Sequence, residues 1–380
     1  MAIATIAALA AGMVLDGSVR TEARAGTSSA GETPNAAAVR LDVLGRAPNP
    51  DGALSFGLSP SAVLASGRQL FARGFGEGEL RLGPRAWARL RQALGYGSAD
   101  LSPVAPASVR GPVVAPPGGF VTIEESSTSL ELETRASRRL RIVGSASWVV
   151  AGGADAAART TLPLSRGPLV RASLDWAATR LDTLRLELQA LDYRYLTDQP
   201  AHDRRASVAS FTATWRTRLA RDAQLSLSLG PGVGRSQLHD QAANTVVYGV
   251  GAAELRDALL RDMSASISVG VEPLGDPLTG EIIELGSVRA SAVWGRQGGV
   301  ALAAGLIGSQ ALTSGSGGPT SAQAGDRYLR GELTATVPLD PRSSLAAGAR
   351  AAFLSRPVSN QPGDQWVAFV SYVAQVPLLR

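Results

Sequence analysis

The sequence predicts an all-β fold, namely one transmembrane, antiparallel, up-and-down β-barrel of about 18 strands (16–18). Three observations lead to this fold. Apolar and polar residues alternate with a period of two along most of the chain. The connections between the alternating segments are short and long in turn. No run of about 20 consecutive apolar residues follows the first segment, so no transmembrane helix is expected there.

The composition narrows the class of protein further. The chain has 380 residues, is 45% hydrophobic, contains 42 glycines and lacks cysteine, which excludes disulfides and thiolate metal sites. All 37 basic residues are arginine, and the net charge is +5. Because the arginines occur singly along the alternating segments, the sequence does not indicate a nucleic-acid partner.

The first fifteen residues, MAIATIAALAAGMVL, form one apolar run. The run contains Ala8-Leu9-Ala10, a small-residue motif typical of signal-peptide cleavage, although no Lys or Arg precedes it. We expect a signal peptide over 1–15 and a barrel over 16–380. A buried terminal strand or helix is the alternative.

The stretch TSLELETRASRRLRIVGSASWVV (128–150) shows the alternation most clearly. Charged residues occupy every second position from Glu131 to Arg135, the pattern stops at 137–139, and a polar alternation then resumes with Arg141, Ser145 and Ser147. A strand sorts such residues onto two faces, whereas a helix would scatter them. We therefore expect a β-hairpin in which Leu130, Leu132, Leu140, Ile142 and Trp148 face lipid and Glu131, Glu133, Arg135 and Arg141 face a water-filled lumen.

Alternation of the same kind recurs on both sides of this hairpin. Turn signals at Asn49–Gly52 and Gly83-Pro84 separate the earlier segments. After Ala190 the phase shifts by one residue, which predicts a β-bulge there. The other alternating segments lie at about 19–25, 39–43, 53–65, 69–82, 85–97, 170–179, 184–189, 211–218, 225–229, 264–271, 287–294 and 329–337.

Short connections are expected at 137–139, 180–183, 220–223, 261–263, 296–299 and 340–343. Longer loops are expected at about 98–121, 151–166, 197–205, 236–245, 275–283, 313–327 and 356–365. Short turns on one side and long loops on the other are typical of outer-membrane barrels. An even number of strands places both termini on the periplasmic side.

A soluble sandwich would also alternate, but its apolar faces must fill a close-packed interior. Few Phe or Ile residues are available here to fill one, so we expect the apolar face to contact outer-membrane lipids. The six tryptophans fit an interfacial girdle, because Trp87, Trp148, Trp176, Trp215 and Trp294 lie near strand ends and Trp366 opens the last strand. Ordinary packing is the alternative.

On these patterns the whole mature chain resembles outer-membrane β-barrel channels. In length, strand number and arginine-rich lumen it also resembles the 18-stranded exopolysaccharide-export barrels of myxobacteria. That resemblance implies export of exopolysaccharide together with a periplasmic polysaccharide-export lipoprotein. The chain departs from the outer-membrane pattern at its end, YVAQVPLLR, where the last aromatic residue is Tyr372.

The candidate functional residues are the charged positions of the predicted inner face. An excess of arginine there would favour anions or acidic sugars. The alternative is that arginines and carboxylates simply pair across strands. The predicted lumen-lining residues are Arg135, Arg141, Arg171, Arg185, Arg216, Arg218, Arg289, Arg330, Glu131, Glu133, Asp175, Glu187 and Glu332.

No motif indicates catalysis, a cofactor or a metal. The only two histidines, His202 and His239, fall in long loops, and a polar loop tip explains each better than a metal site or a Ser-His pair. We therefore expect a non-enzymatic conduit for exopolysaccharide. The alternatives are an anion-selective or general diffusion porin, with the loop at 98–121 as a constriction, and a closed structural or adhesive barrel.

Overall fold

A computed structural model gives the fold of the chain. It describes residues 14–28, 35–49, 52–65, 67–102, 119–238, 241–260, 262–275, 282–295, 299–314, 327–354 and 364–379. Most of the predicted signal peptide lies outside the described residues, as do His239 and most of the loop at 98–121. Val14 and Leu15, the last two residues of the predicted signal peptide, belong to the first strand.

Eighteen strands of 12 to 17 residues account for most of the described chain. A four-residue helix, α1 (Ala156–Arg159), and a 3₁₀ turn at Pro200–His202 lie in two of the connections. The strands are β1 (Val14–Ser28), β2 (Ala36–Asn49), β3 (Gly52–Leu64), β4 (Arg68–Gly83), β5 (Ala86–Asp100), β6 (Phe120–Arg135), β7 (Leu140–Gly153), β8 (Leu164–Ala177), β9 (Asp182–Leu196), β10 (Arg204–Arg218), β11 (Ala223–Leu238), β12 (Asn244–Leu260), β13 (Met263–Gly275), β14 (Ile282–Gly295), β15 (Ala301–Ser314), β16 (Arg327–Asp340), β17 (Ser343–Leu354) and β18 (Asp364–Leu379).

The strands form one closed antiparallel sheet. Each strand pairs with its neighbours in sequence, and β1 pairs with both β2 and β18. Thr21, for example, lies opposite Val39 on one side and Tyr372 on the other. Closure leaves no strand edge unpaired, which is what a sheet needs in a medium without water. The predicted all-β barrel of about 18 strands is confirmed.

With one exception, the connections sort by length onto the two ends of the barrel, as predicted; the exception is the three-residue connection 65–67 between β3 and β4. Connections from even- to odd-numbered strands span two to five residues and lie at the end where β1 begins and β18 ends; we call it the turn end. The longer connections lie at the opposite end, the loop end, and include α1. In the turn between β8 and β9, the Thr179 hydroxyl accepts hydrogen bonds from the backbone N–H groups of Leu181 (3.1 Å) and Asp182 (2.9 Å).

The outer surface is apolar along the middle of the strands. Leu132 is 49% exposed and Leu188 is 58% exposed, although each lies in a strand that is paired on both sides. Such exposure in water would oppose folding, so this surface needs an apolar surrounding. Among the described helical residues, none forms a helix long and apolar enough to cross a membrane.

The tryptophans follow the predicted girdle only in part. Trp176, Trp215 and Trp294 are exposed on the outer surface near the turn end, and Trp366 is exposed near the loop end. Trp148 is also exposed on the outer surface, but nearer the middle of its strand. Trp87 is the exception. Its ring lies under the guanidinium of Arg135, 5.2 Å from the ring centroid, so it belongs to the opposite face of the sheet.

The predicted bulge after Ala190 is wrong. Ala190 lies opposite Val170 on β8 and Ala209 on β10, and the register of β9 with β10 continues through Leu191 and beyond without a shift. Side chains from Leu191 onward therefore keep the regular alternation between the two faces of the sheet, without a break at Ala190. The phase of the sequence changes because the apolar residues move to the other face of the sheet, not because the backbone slips.

Candidate functional site

The inner face of the barrel can be recognised from contacts that skip strands. Both nitrogen tips of Arg350 on β17 donate to the Glu22 carboxylate on β1, at 2.7 and 3.0 Å, across the intervening β18. Arg24 on β1 forms an ion pair with Asp100 on β5. Side chains from non-adjacent strands converge only on the concave side of a curved sheet. These residues, and those that alternate with the exposed leucines, therefore mark the inner face.

A chain of ion pairs crosses four strands of this face. Arg141 on β7 lies 2.7 Å from Glu133 on β6 and 3.7 Å from Asp175 on β8. Arg185 on β9 lies 3.6 Å from Asp175 and 2.7 Å from Glu187. The alternating signs cancel most of the charge along this wall, as cross-strand pairing predicts.

Three more of the predicted residues also form ion pairs. Glu131 lies 3.0 Å from Arg89 on β5, which in turn is 2.7 Å from Glu79. On the other side of the barrel, Arg330 lies 3.2 Å from Glu332. Glu332 also lies 3.3 Å from Arg350, which links β16 to the seam between β1 and β18.

Three predicted arginines have no carboxylate partner among the residues that the structure describes. Arg171 donates to the amide oxygen of Gln189 at 3.0 Å, and it forms no ion pair there. Arg216 and Arg218, on β10, also form none within the described ranges. Arg135 sits at the turn end, 3.8 Å from Glu133 and over Trp87.

Arg216 lines a cavity of about 550 Å³ on the wall from β9 to β14. Hydroxyl groups such as those of Ser226 and Ser268 supply much of its surface, and Arg289 lies on its far side. The lining holds four arginines and three glutamates, which are Glu187, Glu254 and Glu272. Arginines and hydroxyls together offer hydrogen-bond donors to an anionic solute. The structure therefore brings part of the predicted set into one concave, donor-rich surface.

Toward the loop end the inner face becomes apolar. On β9, the series Arg185, Glu187 and Gln189 continues on the same face as Leu191, Tyr193 and Tyr195. Similar apolar groups occur on the inner face of other strands near this end. The buried clusters are Tyr195, Ala206, Val208, Tyr248 and Ile282; Val121, Ile123 and Ala158; Ile283, Leu285 and Ala311; and Tyr328, Ala352, Leu354 and Val367.

Sharp curvature of the sheet makes this packing possible. Cα atoms of β10 and β13 approach within 8 Å although two strands lie between them. A Cβ atom on Gly234 would lie 2.6 Å from Ile282 and 2.8 Å from Tyr248, so only glycine fits there. The Tyr248 hydroxyl donates to the backbone oxygen of Ile282 at 3.0 Å. The inner wall here is a packed core and not a wet surface.

Sequence analysis did not predict this apolar region, although the sequence contains a pattern that indicates it. The change of phase after Ala190 marks the point at which the inner face of β9 turns from polar to apolar. The role of Arg350 was not predicted either, because its main partner Glu22 is 328 positions away in sequence. No group of His, Asp and Glu that could hold a metal occurs among the described residues.

Comparison with known proteins identifies the fold but does not identify a family. No protein-family model matches the chain, and no curated protein matches it. Among solved structures, OccK2 from Pseudomonas aeruginosa, in complex with glucuronate, gives a TM-score of 0.53 at 12% identity, covering 97% of this chain and 98% of that chain. The outer-membrane protein OpdK from P. aeruginosa gives 0.51 at 13% identity, covering 96% and 99%.

The chain has the fold of outer-membrane β-barrels. A third structure, the FrpB iron transporter from Neisseria meningitidis, gives a TM-score of 0.53 at 9% identity and covers 93% of this chain but 66% of that chain. At these identities the likeness concerns the fold alone.

Proposed function

We propose that this chain is an outer-membrane channel that favours anionic solutes. The observation that carries the proposal is the pair Arg171 and Arg216, which lie on the inner face and form no ion pair with a carboxylate among the described residues. The other charges of that wall largely cancel in the ion chain from Glu133 to Glu187. Uncompensated positive charge in a lumen attracts anions and repels cations.

The predicted lumen-lining residues take two roles in this proposal. Glu131, Glu133, Arg141, Asp175, Arg185 and Glu187 hold the wall together as ion pairs, whereas Arg171, Arg216, Arg218 and Arg289 contact the solute. Carboxylated sugars suit such donors, because a guanidinium binds a carboxylate through two parallel hydrogen bonds. Glucuronate in the OccK2 structure is a solute of this chemistry, and it supports the same class here.

Exopolysaccharide export beside a periplasmic lipoprotein is the narrower hypothesis. A hydrated sugar chain needs a wide polar path along the whole barrel. The packed apolar clusters at the loop end do not offer polar groups to such a chain, so they count against this hypothesis. We further propose that the turn end, with both termini, is periplasmic, and that the loop end faces outward, as is usual for such barrels.

Reversal potential across a planar bilayer under a salt gradient tests the proposal. The refolded protein should conduct and should pass anions in preference to cations. The double variant Arg171→Gln/Arg216→Gln should lose most of that preference. The matched control, Arg166→Gln/Arg194→Gln, removes two arginines from the outer surface of β8 and β9 and should keep it.

Four other outcomes are informative. Cation selectivity, or equal selectivity in the inner-face variant and the control, would refute the proposal. Block by an acidic oligosaccharide added on the turn-end side, but not by glucuronate, would support the polysaccharide hypothesis instead. No conductance from folded, heat-modifiable protein would favour a closed structural barrel.

A further inference from the structure

Four arginines lie on the outer surface of β8 to β11, close to the loop end. Arg166, Arg194 and Arg205 stand directly opposite one another on three adjacent strands. Arg235 lies on β11, opposite Ser207 and one row nearer the middle of the barrel. Each arginine continues the series of positions that carries the exposed apolar residues of its own strand, such as Leu188 on β9.

Like charges in this arrangement repel each other. Adjacent strands are about 4.8 Å apart, and like charges directly opposite on neighbouring strands are destabilising. One carboxylate, Asp192, lies beside the row. It accepts hydrogen bonds from Arg205 at 2.9 Å and from Ser207 at 2.8 Å. Within the described residues, Arg166, Arg194 and Arg235 form no ion pair, so Asp192 balances only part of the positive charge of the row.

The guanidinium groups border a shared depression. Arg166, Arg194 and Arg205 line a cavity of about 370 Å³ together with Gln237. The cavity wall also includes Arg204 and Asp203, and an oxygen of Asp203 accepts a hydrogen bond from the backbone of Thr197 at 2.9 Å. Several guanidinium forks around one space suit a phosphate group, which accepts two hydrogen bonds from each fork.

The position of the row relative to the apolar belt identifies the source of the phosphate. Leu184, Leu186 and Leu188 are exposed on β9, and after Ala190 the outward positions change to Asp192 and Arg194. Arg194 therefore lies roughly 13 Å along the strand beyond Ala190. A membrane surface changes from hydrocarbon to headgroups over such a distance.

We propose that this arginine row, formed by Arg166, Arg194, Arg205 and Arg235, binds a phosphate-bearing headgroup of a lipid in the leaflet at the loop end. The inference rests on the membrane location in the proposed function and not on conduction. The lipid phosphate supplies the charge that the row lacks, while its acyl chains lie against the exposed leucines below. The row thus anchors the barrel at a fixed depth.

Native mass spectrometry of the full chain, folded in nonionic detergent, tests this site. The probes are diphosphorylated lipid A, the same lipid after dephosphorylation, and inorganic phosphate. The wild type should retain the phosphorylated lipid, and Arg166→Gln/Arg194→Gln should bind it at least about tenfold more weakly, because two charge-assisted contacts are lost. The control Arg180→Gln/Arg221→Gln removes the same charge from turns at the opposite end and should bind like the wild type.

The outcomes separate this proposal from others. Equal binding by the two double variants, or equal binding of the dephosphorylated lipid, would overturn it. Inorganic phosphate that binds as tightly as the lipid would show a soluble-anion site in its place. Heat-modifiable migration on a gel checks folding, and removal of the like-charge row should leave the lipid-free variant at least as stable as the wild type. A barrel that binds the lipid but does not conduct ions would contradict the proposed channel function and would still support the lipid site.

Discussion

Glu22 is expected to be one of the most important charged residues for the stability of this barrel. It holds Arg350 across the seam at which β1 meets β18, so the pair helps to close the sheet. The Arg350 side chain is 4% exposed and that of Glu22 is 9% exposed. The guanidinium also lies 3.8 Å from the centre of the Phe369 ring. Substitution of Glu22 by Gln would leave a buried cation short of its main partner.

Removing one partner of a buried ion pair costs about 3–5 kcal/mol. Glu332 stays 3.3 Å from Arg350 in the variant, so the expected loss lies near the lower end, at about 3 kcal/mol. Glu254→Gln provides a matched control. Its partner Arg256 is 2.6 Å away, but that pair is largely exposed, and loss of such a pair costs below about 1 kcal/mol.

The free energy of unfolding can be measured from urea titrations in detergent micelles, with heat-modifiable gel migration as the readout. Glu22→Gln should lower the urea concentration at the midpoint of unfolding strongly, and Glu254→Gln should lower it only slightly. The double variant Glu22→Gln/Arg350→Met should recover much of the loss, since an apolar side chain needs no counter-charge. Equal midpoints for the two single variants, or a double variant weaker than Glu22→Gln, would refute the reasoning.

Three further predictions concern the inner face. Gly234→Ala should destabilise the barrel by about 1–3 kcal/mol through overpacking, whereas Gly249→Ala, which meets nothing within 4 Å, should change the unfolding free energy by less than about 0.5 kcal/mol. Tyr248→Phe should cost about 1–2 kcal/mol because it removes the buried hydrogen bond to a carbonyl, and Tyr96→Phe, at an exposed position, should cost little; equal urea midpoints would contradict this. Asp175→Asn should raise the anion-to-cation permeability ratio, because two neighbouring guanidinium groups lose their shared carboxylate; an unchanged reversal potential would count against a solvated ion chain.

Sequence periodicity was sufficient for the fold because a barrel strand has one environment on each face. Every second residue between Leu184 and Leu188 had to be apolar, and the charged residues between them had to lie on the other face. The turn between β2 and β3 was equally readable, since Asn-Pro-Asp-Gly suits a tight turn and little else. Local chemistry alone decides such features.

Contacts between side chains of different strands could not be predicted from the sequence in the same way. Arg350 and Glu22 are 328 positions apart, and the sequence around either residue does not predict that the two form an ion pair. The register of three successive strands decides that Arg166, Arg194 and Arg205 form one row, because a shift of one residue would have turned any of them to the inner face.

The sequence by itself determined the class of fold, the approximate number of strands and the two faces in the middle of the barrel. Tertiary structure alone decided which charges cancel, which arginines stay without a carboxylate partner, and where the inner face becomes a packed apolar wall. The physical reason is that alternation is a property of one strand in its own environment. Charge balance and packing depend on side chains brought together by closure and curvature of the whole sheet.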